Sequence, residues 1–542
     1  CPPTIRGSET AWAQISFLGR SLPTGSSRHV SEALRLHQER LTSCHVTPTP
    51  LLERARVWAC GWAERYLPRN PTFGDVGYIP AGTSSTFART RAEGGWRADV
   101  SKLVSRPSTL PVWGQAEPSP DGVPPEGWQS AVMAVDLASE AARVYLARTG
   151  PSKGRVLALE ERGHKARIVT AMEPDVLTLG HLARRRLFRG LRKWPMVSKT
   201  LEGGEHELVR DLLGTEGDVV SADLSAASDL LPFDLLSQII GGLSDSGRLL
   251  PVELLGLRAC AGPVDLTWPS GETHTTRRGA LMGLPTTWAL LCLVQGFWWS
   301  EAEHQYPPTG PGHQRVRARI CGDDLIGVAR RDAISAYEAA ATASGAVFSP
   351  GKHFHSKDRG VFLEVLWTFE GRRSGSDFLG YRTRRRMIDG RVRKIRIPVN
   401  QTVYRRWTSC WYLPVIPLRG LVGRDHQWVD EASPDWWLAG DVETSLTKHY
   451  PRRLVSTVAR AVRPDLPGQF AAAGIPPYLP RALGGAGLCG RTDELDASRS
   501  ARKAIAGLLY GTSPSEMSNE FSRLWAPSAV AGPELLARRF AE

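Results

Sequence analysis

Two adjacent carboxylates, Asp323 and Asp324, stand between two apolar runs in which polar and apolar residues partly alternate. The first run ends at Ile320 and the second begins at Leu325. This pattern around a Gly-Asp pair predicts a β-hairpin with the acids at its turn. Because adjacent like charges repel, a rigid site of this kind favours a divalent cation with oxygen ligands. A bare Gly-Asp-Asp is also typical of an ordinary solvated turn, so the assignment depends on the rest of the chain.

A second pair of acids, Asp223 and Asp229, lies about 100 residues upstream. Val219 and Val220 predict a short strand that ends at Asp223, where a metal ligand is expected. Small residues follow and permit close backbone approach. Asp229 then either faces the same site or caps a helix predicted over residues 232–240, and both roles are compatible.

Cations that could bind phosphate are the next requirement, and the chain carries a net charge of +13. An excess of this size favours a polyanionic partner or an acidic surface. Lys165 and Arg167 are two positions apart on a predicted strand, so they face the same side and suit a triphosphate. Taken alone, an exposed basic edge strand explains this pair better.

Three further basic segments are candidates for contacting nucleic acid. They are Arg89 and Arg91 in a hydroxyl- and glycine-rich segment (83–95), Arg184 and Arg185 on a helix predicted over 176–194, and Arg384 and Arg385 in a hairpin predicted over 382–396. Each has a plain alternative, namely a polar loop, a solvated helix face and a solvated edge hairpin. The helix favours nucleic acid because almost no acid balances its cations.

The composition excludes several other classes of protein. The eight cysteines are scattered without a C-x-x-C pair, so neither a zinc site nor a disulfide framework is indicated, and a reducing compartment fits best. No signal-peptide pattern is seen at the start. Residues 279–299 lack charge, but Gly283 and Pro285 interrupt them, which favours a loop leading into a buried helix at 288–299 over a membrane span.

In chain order these segments resemble the motifs of viral RNA-dependent RNA polymerases, and in detail those of narnaviruses and their ourmia-like relatives. The matching segments are Lys165 with Arg167 (motif F), 223–229 (A), 279–288 (B), 322–324 (C), Lys352 with its surroundings (D) and 361–366 (E). Segments 84–95 and 483–488 are also similar to that group. The resemblance covers roughly residues 80–490, and six motifs in order are far more specific than any one of them.

The resemblance implies an α+β right-hand fold with fingers, palm and thumb, in which helices back an antiparallel palm sheet. The implied divisions are 1–215 for the N-terminal region and fingers, 216–370 for the palm with a fingers insertion around 240–278, and 371–542 for the thumb and C-terminal region.

The same resemblance assigns roles to the site residues. Asp223 and Asp323 are the expected bridging ligands of two Mg²⁺ ions, with Asp324 supporting them and Mn²⁺ as an alternative metal. Lys165 and Arg167 would neutralise the triphosphate. Lys352 is the candidate acid that protonates pyrophosphate, and its alternatives are Lys357 or a plain surface role.

Ribose selection departs from the wider polymerase pattern. Asp229 is expected near the ribose 2′-hydroxyl, together with a hydroxyl from Thr286 or Thr287. Residues 288–291 are apolar where many relatives carry an asparagine, so the usual set of ribose contacts is incomplete. Gly279 and Gly283 are expected to let their loop flex against the template.

The implied partners are an RNA template, the product duplex and ribonucleoside triphosphates, with a stable complex with the protein's own genomic RNA as a further expectation. Membrane insertion is not expected. The expected location is the host cytoplasm, with mitochondrial replication left open. Two alternatives remain, a reverse transcriptase-like polymerase and a non-catalytic RNA-binding protein.

The small residues around Asp229 predict that ribonucleotides are incorporated in preference to deoxyribonucleotides, because a reverse transcriptase would carry a bulky steric gate there. The measurement is extension on an RNA template with either set of triphosphates. Preferential deoxyribonucleotide incorporation would identify a reverse transcriptase instead.

Overall fold

The computed structural model of the 542-residue chain combines helices with mostly antiparallel sheets. It describes residues 13–71, 82–104, 128–202, 208–307, 317–373, 378–388, 391–400, 405–422 and 438–490, apart from positions 15, 18, 20, 21, 23, 162, 414, 417, 474, 480 and 482–484. The backbone divides into a large unit (32–159 and 168–412) and a small unit (1–31, 160–167 and 413–542).

The elements are numbered here in chain order. The helices are α1 (Ser27–Thr42), α2 (Thr49–Tyr66), α3 (Gly95–Val104), α4 (Trp128–Leu146), α5 (Pro174–Lys193), α6 (Ser198–Glu202), α7 (Phe233–Asp245), α8 (Pro251–Cys260), α9 (Thr287–Gln305), α10 (Arg331–Ala343), α11 (Leu418–Leu421), α12 (Ala439–Leu446), α13 (Arg452–Val462) and α14 (Leu466–Ala472). The strands are β1 (Ser152–Glu161), β2 (Lys165–Met172), β3 (Asp218–Ala222), β4 (Val264–Thr267), β5 (Thr273–Thr275), β6 (Ala318–Cys321), β7 (Asp324–Ala329), β8 (Phe354–Ser356), β9 (Arg359–Phe362), β10 (Val365–Arg373), β11 (Phe378–Ile388), β12 (Arg391–Asn400) and β13 (Arg405–Tyr412).

The sheet that carries the acids has the strand order β6-β7-β3-β8, and all its neighbours are antiparallel. Both faces of this sheet are covered. Val220 and Leu325 belong to one hydrophobic core, whereas Val219, Ile326 and Val328 belong to another. Burial on both faces explains why these strands read as nearly continuous apolar runs.

Helix α9 packs against one face of that sheet. Apolar residues surround most of its circumference, and its residues from Thr287 to Phe297 are all buried except Trp288. A Cβ atom added at Gly327 would lie 2.3 Å from the Cη2 atom of Trp299, so the close approach depends on a glycine in β7. The sequence prediction of a loop leading into a buried helix is confirmed. Among the described residues, no helix combines the length and apolarity needed to cross a bilayer.

A second sheet has the order β2-β1-β4-β5. Its strands β1 and β2 precede α5 in the chain, and its strands β4 and β5 follow α8. Gly256 brings these two helices together, since a Cβ atom there would lie 2.2 Å from the carbonyl oxygen of Leu179. Arg186 and Glu253 form an ion pair between the two helices, with Nε 2.9 Å from Oε1 and side chains only 0% and 1% exposed. The predicted helix at 176–194 is observed as α5, but Arg186 is a core residue rather than part of the cationic face.

A third sheet has the order β13-β10-β9. The expectation of a single strand over 361–366 is wrong, because residues 363 and 364 form a turn between β9 and β10. Phe362 pairs with Val365, and both Leu363 (φ 51°) and Glu364 (φ 64°) adopt the left-handed conformation. This turn lies inside an apolar run, so the sequence pattern does not reveal it.

The predicted basic hairpin is observed as β11 and β12, with Arg385 paired to Lys394 and Arg384 to Ile395 in the antiparallel register. Its predicted turn at 389–390 lies outside the described residues.

The tryptophans beyond residue 400 were expected to lie in the core. Trp407 is buried as predicted, but Trp411 is 41% exposed. Trp428, Trp436 and Trp437 fall outside the described residues, as do the expected linker at 106–127 and the expected C-terminal helices.

Within the small unit, the Gln14 side chain bonds both backbone groups of Ile416, donating to its carbonyl at 3.0 Å and accepting from its amide at 2.8 Å. Glu443 on α12 is fully buried, and it accepts a hydrogen bond from the backbone N–H of Cys489 at 2.7 Å and pairs with Arg460. Single polar side chains therefore join distant segments within this unit. The three-domain division expected from the resemblance stays a prediction.

The buried pair between α5 and α8 predicts a sharp difference between single and double variants. Arg186→Leu removes the cation that neutralises the buried Glu253 carboxylate, which should lower the free energy of unfolding by about 3–5 kcal/mol. Arg186→Leu combined with Glu253→Leu should recover much of that loss. Urea unfolding measures both, and a double variant no better than the single one would contradict the prediction.

Candidate active site

The predicted hairpin is present, and Gly322 and Asp323 form its two-residue turn, since Cys321 pairs with Asp324. Gly322 has φ +66°, and a Cβ atom there would lie 3.0 Å from the Cδ1 atom of Trp288. Both the left-handed backbone and the neighbouring indole therefore require glycine. The outer edge of β6 is bonded as well, because the Ile320 N–H donates to the Met196 carbonyl at 2.9 Å.

Strand β3 brings Asp223 to this hairpin. Ala222 pairs with Leu325, so the next step of the same antiparallel register places Asp223 across from Asp324. Directly opposed residues of antiparallel strands have Cα atoms about 4.5–5.5 Å apart. Two adjacent acids and a third that lies about 100 residues upstream are thus gathered at one end of one sheet.

The loop after β3 is fastened by a second loop at 347–353. The Ser349 N–H donates to the Asp223 carbonyl at 2.8 Å, and the Ser225 N–H donates to the Val347 carbonyl at 2.8 Å. From this loop the Nζ atom of Lys352 reaches within 3.3 Å of the Asp223 Oδ2 atom. The predicted lysine is therefore at the acids, whereas its alternative Lys357 is simply exposed.

The acids interact strongly with one another. The pKa of the Asp324 carboxyl is raised to about 7, first by burial and then by the negative charges of Asp323 and Asp223. Glu364, at the turn between β9 and β10, raises it further, and Lys352 opposes the shift. Sequence reasoning did not assign Glu364 a role, because the turn that brings it close to the acids was not visible in the pattern.

The chemistry of this donor set suits a hard divalent cation, since carboxylate oxygens are the ligands that Mg²⁺ prefers. A cation would also relieve the mutual repulsion that raises the pKa of Asp324. As arranged, no three His, Cys, Asp or Glu side chains in the described part of the chain are gathered closely enough to hold a metal ion. Lys352 occupies one oxygen of Asp223, which is a position that a metal would otherwise take.

Asp229 is directed into the protein, and burial raises the pKa of its carboxyl. Its Oδ1 atom accepts a hydrogen bond from Ser228 at 3.1 Å, and Arg40 lies 3.9 Å from its Oδ2 atom. Pro232 is the N-cap of α7, so the alternative in which Asp229 caps this helix is wrong.

Neither predicted threonine presents a free hydroxyl to a ribose. The Thr287 hydroxyl donates to the Leu281 carbonyl at 2.7 Å, and Thr286 is fully buried beside Cys260. Their role in ribose selection stays a prediction that this arrangement does not support.

The glycines of the 279–288 segment fit tightly. Gly279 and Gly283 both have φ +109°, and added Cβ atoms would lie 2.5 Å from Leu41 Cδ2 and 2.5 Å from the Thr170 carbonyl oxygen. Their positive φ and close packing explain why these positions are glycine. Flexing against a template stays a prediction.

The predicted RNA-binding arginines differ in their surroundings. Arg89 pairs with Asp99 at 2.7 Å, whereas Arg91 is exposed. Arg184 lies 4.5 Å from the centroid of the Phe188 ring, and burial lowers the pKa of its guanidinium. Arg185 is half-buried. The side chain of Arg385 is exposed on β11, while only the backbone of Arg384 is described. Arg89 therefore already has a structural role in its own loop.

The predicted triphosphate cations belong to the small unit. Lys165 and Arg167 are both exposed on β2 with half-buried residues between and after them, as the alternation predicted. Arg167 Nε lies 3.0 Å from Glu161 Oε1.

Known proteins are similar to this chain in both sequence and structure. No protein-family model matches the chain. It is 42% identical over 532 residues to the RNA-directed RNA polymerase of Saccharomyces 20S RNA narnavirus, covering 97% of this chain and 62% of that protein. It is 33% identical over 591 residues to the polymerase of Saccharomyces 23S RNA narnavirus, covering 95% and 61%. The chain thus spans about three fifths of the length of these relatives, and the predicted resemblance to narnavirus polymerases is confirmed.

Solved structures show the same kind of fold. The RNA-dependent RNA polymerase of a human picobirnavirus aligns with a TM-score of 0.54 at 13% identity, covering 95% of this chain and 90% of that one. Its insertion-loop deletion mutant aligns with a TM-score of 0.54 at 12% identity, covering 93% and 89%. The expected α+β architecture with antiparallel sheets is confirmed at the level of a viral polymerase fold.

The raised pKa of Asp324 predicts a pH-dependent stability in the absence of divalent cations. Because the folded-state pKa of about 7 exceeds the ordinary value of 3.8, the native protein retains a proton that the unfolded chain has lost. Stability should therefore fall as pH rises through the window between these two values. Asp324→Asn should reduce the fall and should be more stable than the wild type at pH 8, as measured by urea unfolding in EDTA.

Asp245→Asn is the control with the opposite sign, because the hydrogen bond from Arg56 lowers the pKa of the Asp245 carboxyl. Its replacement should not stabilise the protein at pH 8. Identical pH profiles for Asp324→Asn and the wild type would show that the acids do not interact in this way.

Proposed function

We propose that this chain is a viral RNA-directed RNA polymerase of the narnavirus kind, which copies a single-stranded RNA genome. The observation that carries the proposal is the register of β3 and β7, which ends at the pair Ala222–Leu325 and so directs Asp223 towards Asp324, beside the turn that holds Asp323. The identity of 42% to a narnavirus polymerase supports the same activity.

In this proposal the acids divide the work. Asp223 and Asp323 would hold two Mg²⁺ or Mn²⁺ ions, whose chemistry would be to activate the 3′-hydroxyl of the growing strand and to neutralise the triphosphate. Asp324 supports them, and because neighbouring negative charges raise its pKa, a bound cation would favour its charged form. The 3′-oxygen forms a bond to the α-phosphorus, and the bond to pyrophosphate breaks.

Lys352 is the proposed proton donor to the departing pyrophosphate. Its ammonium lies 3.3 Å from Asp223, so it is already at the acids before substrate arrives. To act as this donor, Lys352 has to leave the Asp223 carboxylate and contact a phosphate oxygen when the substrate binds. Lys165 and Arg167 are the proposed partners of the triphosphate, and Asp229 is the proposed contact of the ribose 2′-hydroxyl.

The RNA partners are assigned from charge. Exposed Arg91 and Arg385, with Arg184 and Arg185 of α5, would contact the backbones of template and product duplex, where recognition depends on shape and phosphate. Stable association with the genomic RNA and a location in the host cytoplasm remain parts of this proposal. A non-catalytic RNA-binding protein would explain the charge of +13 but not three acids gathered at one sheet end.

Asp323→Asn should lower templated incorporation of ribonucleotides by more than roughly 100-fold, which is the upper end of the loss for groups that only support metal ligands. The measurement is primer-independent and primed extension on an RNA template with Mg²⁺. Asp332→Asn, an exposed acid at the start of α10, is the matched control and should behave as the wild type. Equal RNA synthesis by Asp323→Asn and the wild type would contradict the catalytic assignment.

A further inference from the structure

A buried glutamine lies directly behind the catalytic turn. Gln295 is 0% exposed on α9, whose neighbouring residues from Ala289 to Trp299 are otherwise apolar or glycine. Burying an amide costs free energy unless its polar atoms are hydrogen-bonded. The partners of Gln295 therefore indicate why a polar residue is kept there.

Both ends of the Gln295 amide have specific partners. Its Nε2 donates to the backbone carbonyl of Asp323 at 2.8 Å, and its Oε1 accepts from the Tyr337 hydroxyl at 2.6 Å. A backbone carbonyl can only accept, so the nitrogen of the amide has to face Asp323 and the oxygen has to face Tyr337. Tyr337 is itself fully buried on α10. Two helices are thus linked through one amide to the turn.

The same face of α9 makes two more contacts with this turn. The Sγ atom of Cys292 accepts from the Gly322 N–H at 3.2 Å, and the Trp288 indole lies against Gly322. Positions 288, 292 and 295 are spaced by four and three residues, which places them on one side of a helix. One stripe of α9 therefore supports both residues of the turn from behind.

We propose that Gln295, oriented by Tyr337, is a positioning residue that fixes the backbone of the catalytic turn and so the direction of the Asp323 carboxylate. The inference rests on the proposed function, because it supposes that Asp323 is a metal ligand. Groups that orient metal ligands through hydrogen bonds typically contribute about 10–100-fold to metal affinity or activity. The specific consequence is that loss of the Gln295 contact weakens cation binding beyond any effect on stability.

An alternative is that the amide only satisfies the Tyr337 hydroxyl and contributes to packing. The chain offers a matched control for this alternative. Three positions further along α9, the Trp298 Nε1 donates to the Ser344 hydroxyl at 3.0 Å, and this bond is also buried but does not involve the turn. Ser344→Ala therefore removes this buried hydrogen bond, and with it the one from the Ser344 hydroxyl to the Ala340 carbonyl at 2.9 Å, without touching Asp323.

The experiment compares Gln295→Met, Tyr337→Phe and Ser344→Ala with the wild-type chain. Three quantities are measured: Mn²⁺ binding to the nucleotide-free protein by electron paramagnetic resonance, hydrogen exchange of peptides spanning residues 318–326, and the Mg²⁺ concentration that gives half-maximal RNA synthesis. Thermal unfolding is recorded for each variant. Gln295→Met should weaken Mn²⁺ binding and raise the Mg²⁺ requirement by roughly 10-fold or more, with faster exchange at the turn.

Tyr337→Phe should shift the same three quantities in the same direction but less, because the contact to Asp323 survives without its orienting partner. Ser344→Ala should lower thermal stability while leaving Mn²⁺ binding and exchange at the turn unchanged. If Gln295→Met does not fold, Tyr337→Phe decides the question. The proposal is overturned if the folded Gln295 and Tyr337 variants match Ser344→Ala in Mn²⁺ binding and exchange at the turn.

Failure of the proposed function would look different. A wild-type chain that binds Mn²⁺ but synthesises no RNA would contradict polymerase activity, while Mn²⁺ binding and hydrogen exchange would still decide the role of Gln295.

Discussion

The mutual repulsion of Asp223, Asp323 and Asp324 is the interaction that the surrounding elements of the large unit have to overcome. Charges of one sign at the end of a sheet that is buried on both faces would separate if the backbone allowed it. The ladder between β3 and β7 opposes this, because backbone hydrogen bonds do not depend on the charge of the side chains. The loop at 347–353, bonded to the Asp223 carbonyl, and the support of the turn by α9 act in the same direction. Lys352 supplies the counter-charge that the site has in the absence of a cation.

The arginines of the chain have two separate roles. Some arginines stabilise the fold, such as Arg186 in its buried pair with Glu253 and Arg89 in its pair with Asp99. Others, such as Arg91 and Arg385, are exposed and could meet phosphate. Each such pair adds no net charge, so these arginines do not contribute to the excess of +13, and they are not available to a ligand.

Much of the site was predictable, because the apolar runs and the order of the motifs along the chain determine it. Apolar runs that end at Asp223 and surround Asp323 predicted the strands, and the order of the motifs predicted the lysine at the acids. The turn at Leu363 and Glu364 was not predictable, because left-handed backbone at two non-glycine residues has no clear sequence pattern. The role of Gln295 was not predictable either, since its partners Asp323 and Tyr337 are 28 and 42 residues away. The Thr287 hydroxyl was predicted to contact a ribose, because the sequence does not reveal that the Leu281 carbonyl accepts its hydrogen bond.

The contact between Gly327 and Trp299 has a consequence for how such a sequence can drift. A Cβ atom at position 327 would lie 2.3 Å from the indole, so no larger residue fits while the tryptophan remains. A smaller residue at 299 would leave a cavity that Gly327 cannot fill, which is costly in a close-packed core. Single substitutions at either position are therefore disfavoured, and the two positions can change only together. We therefore expect positions 299 and 327 to vary together among related sequences, although 28 residues separate them in the chain.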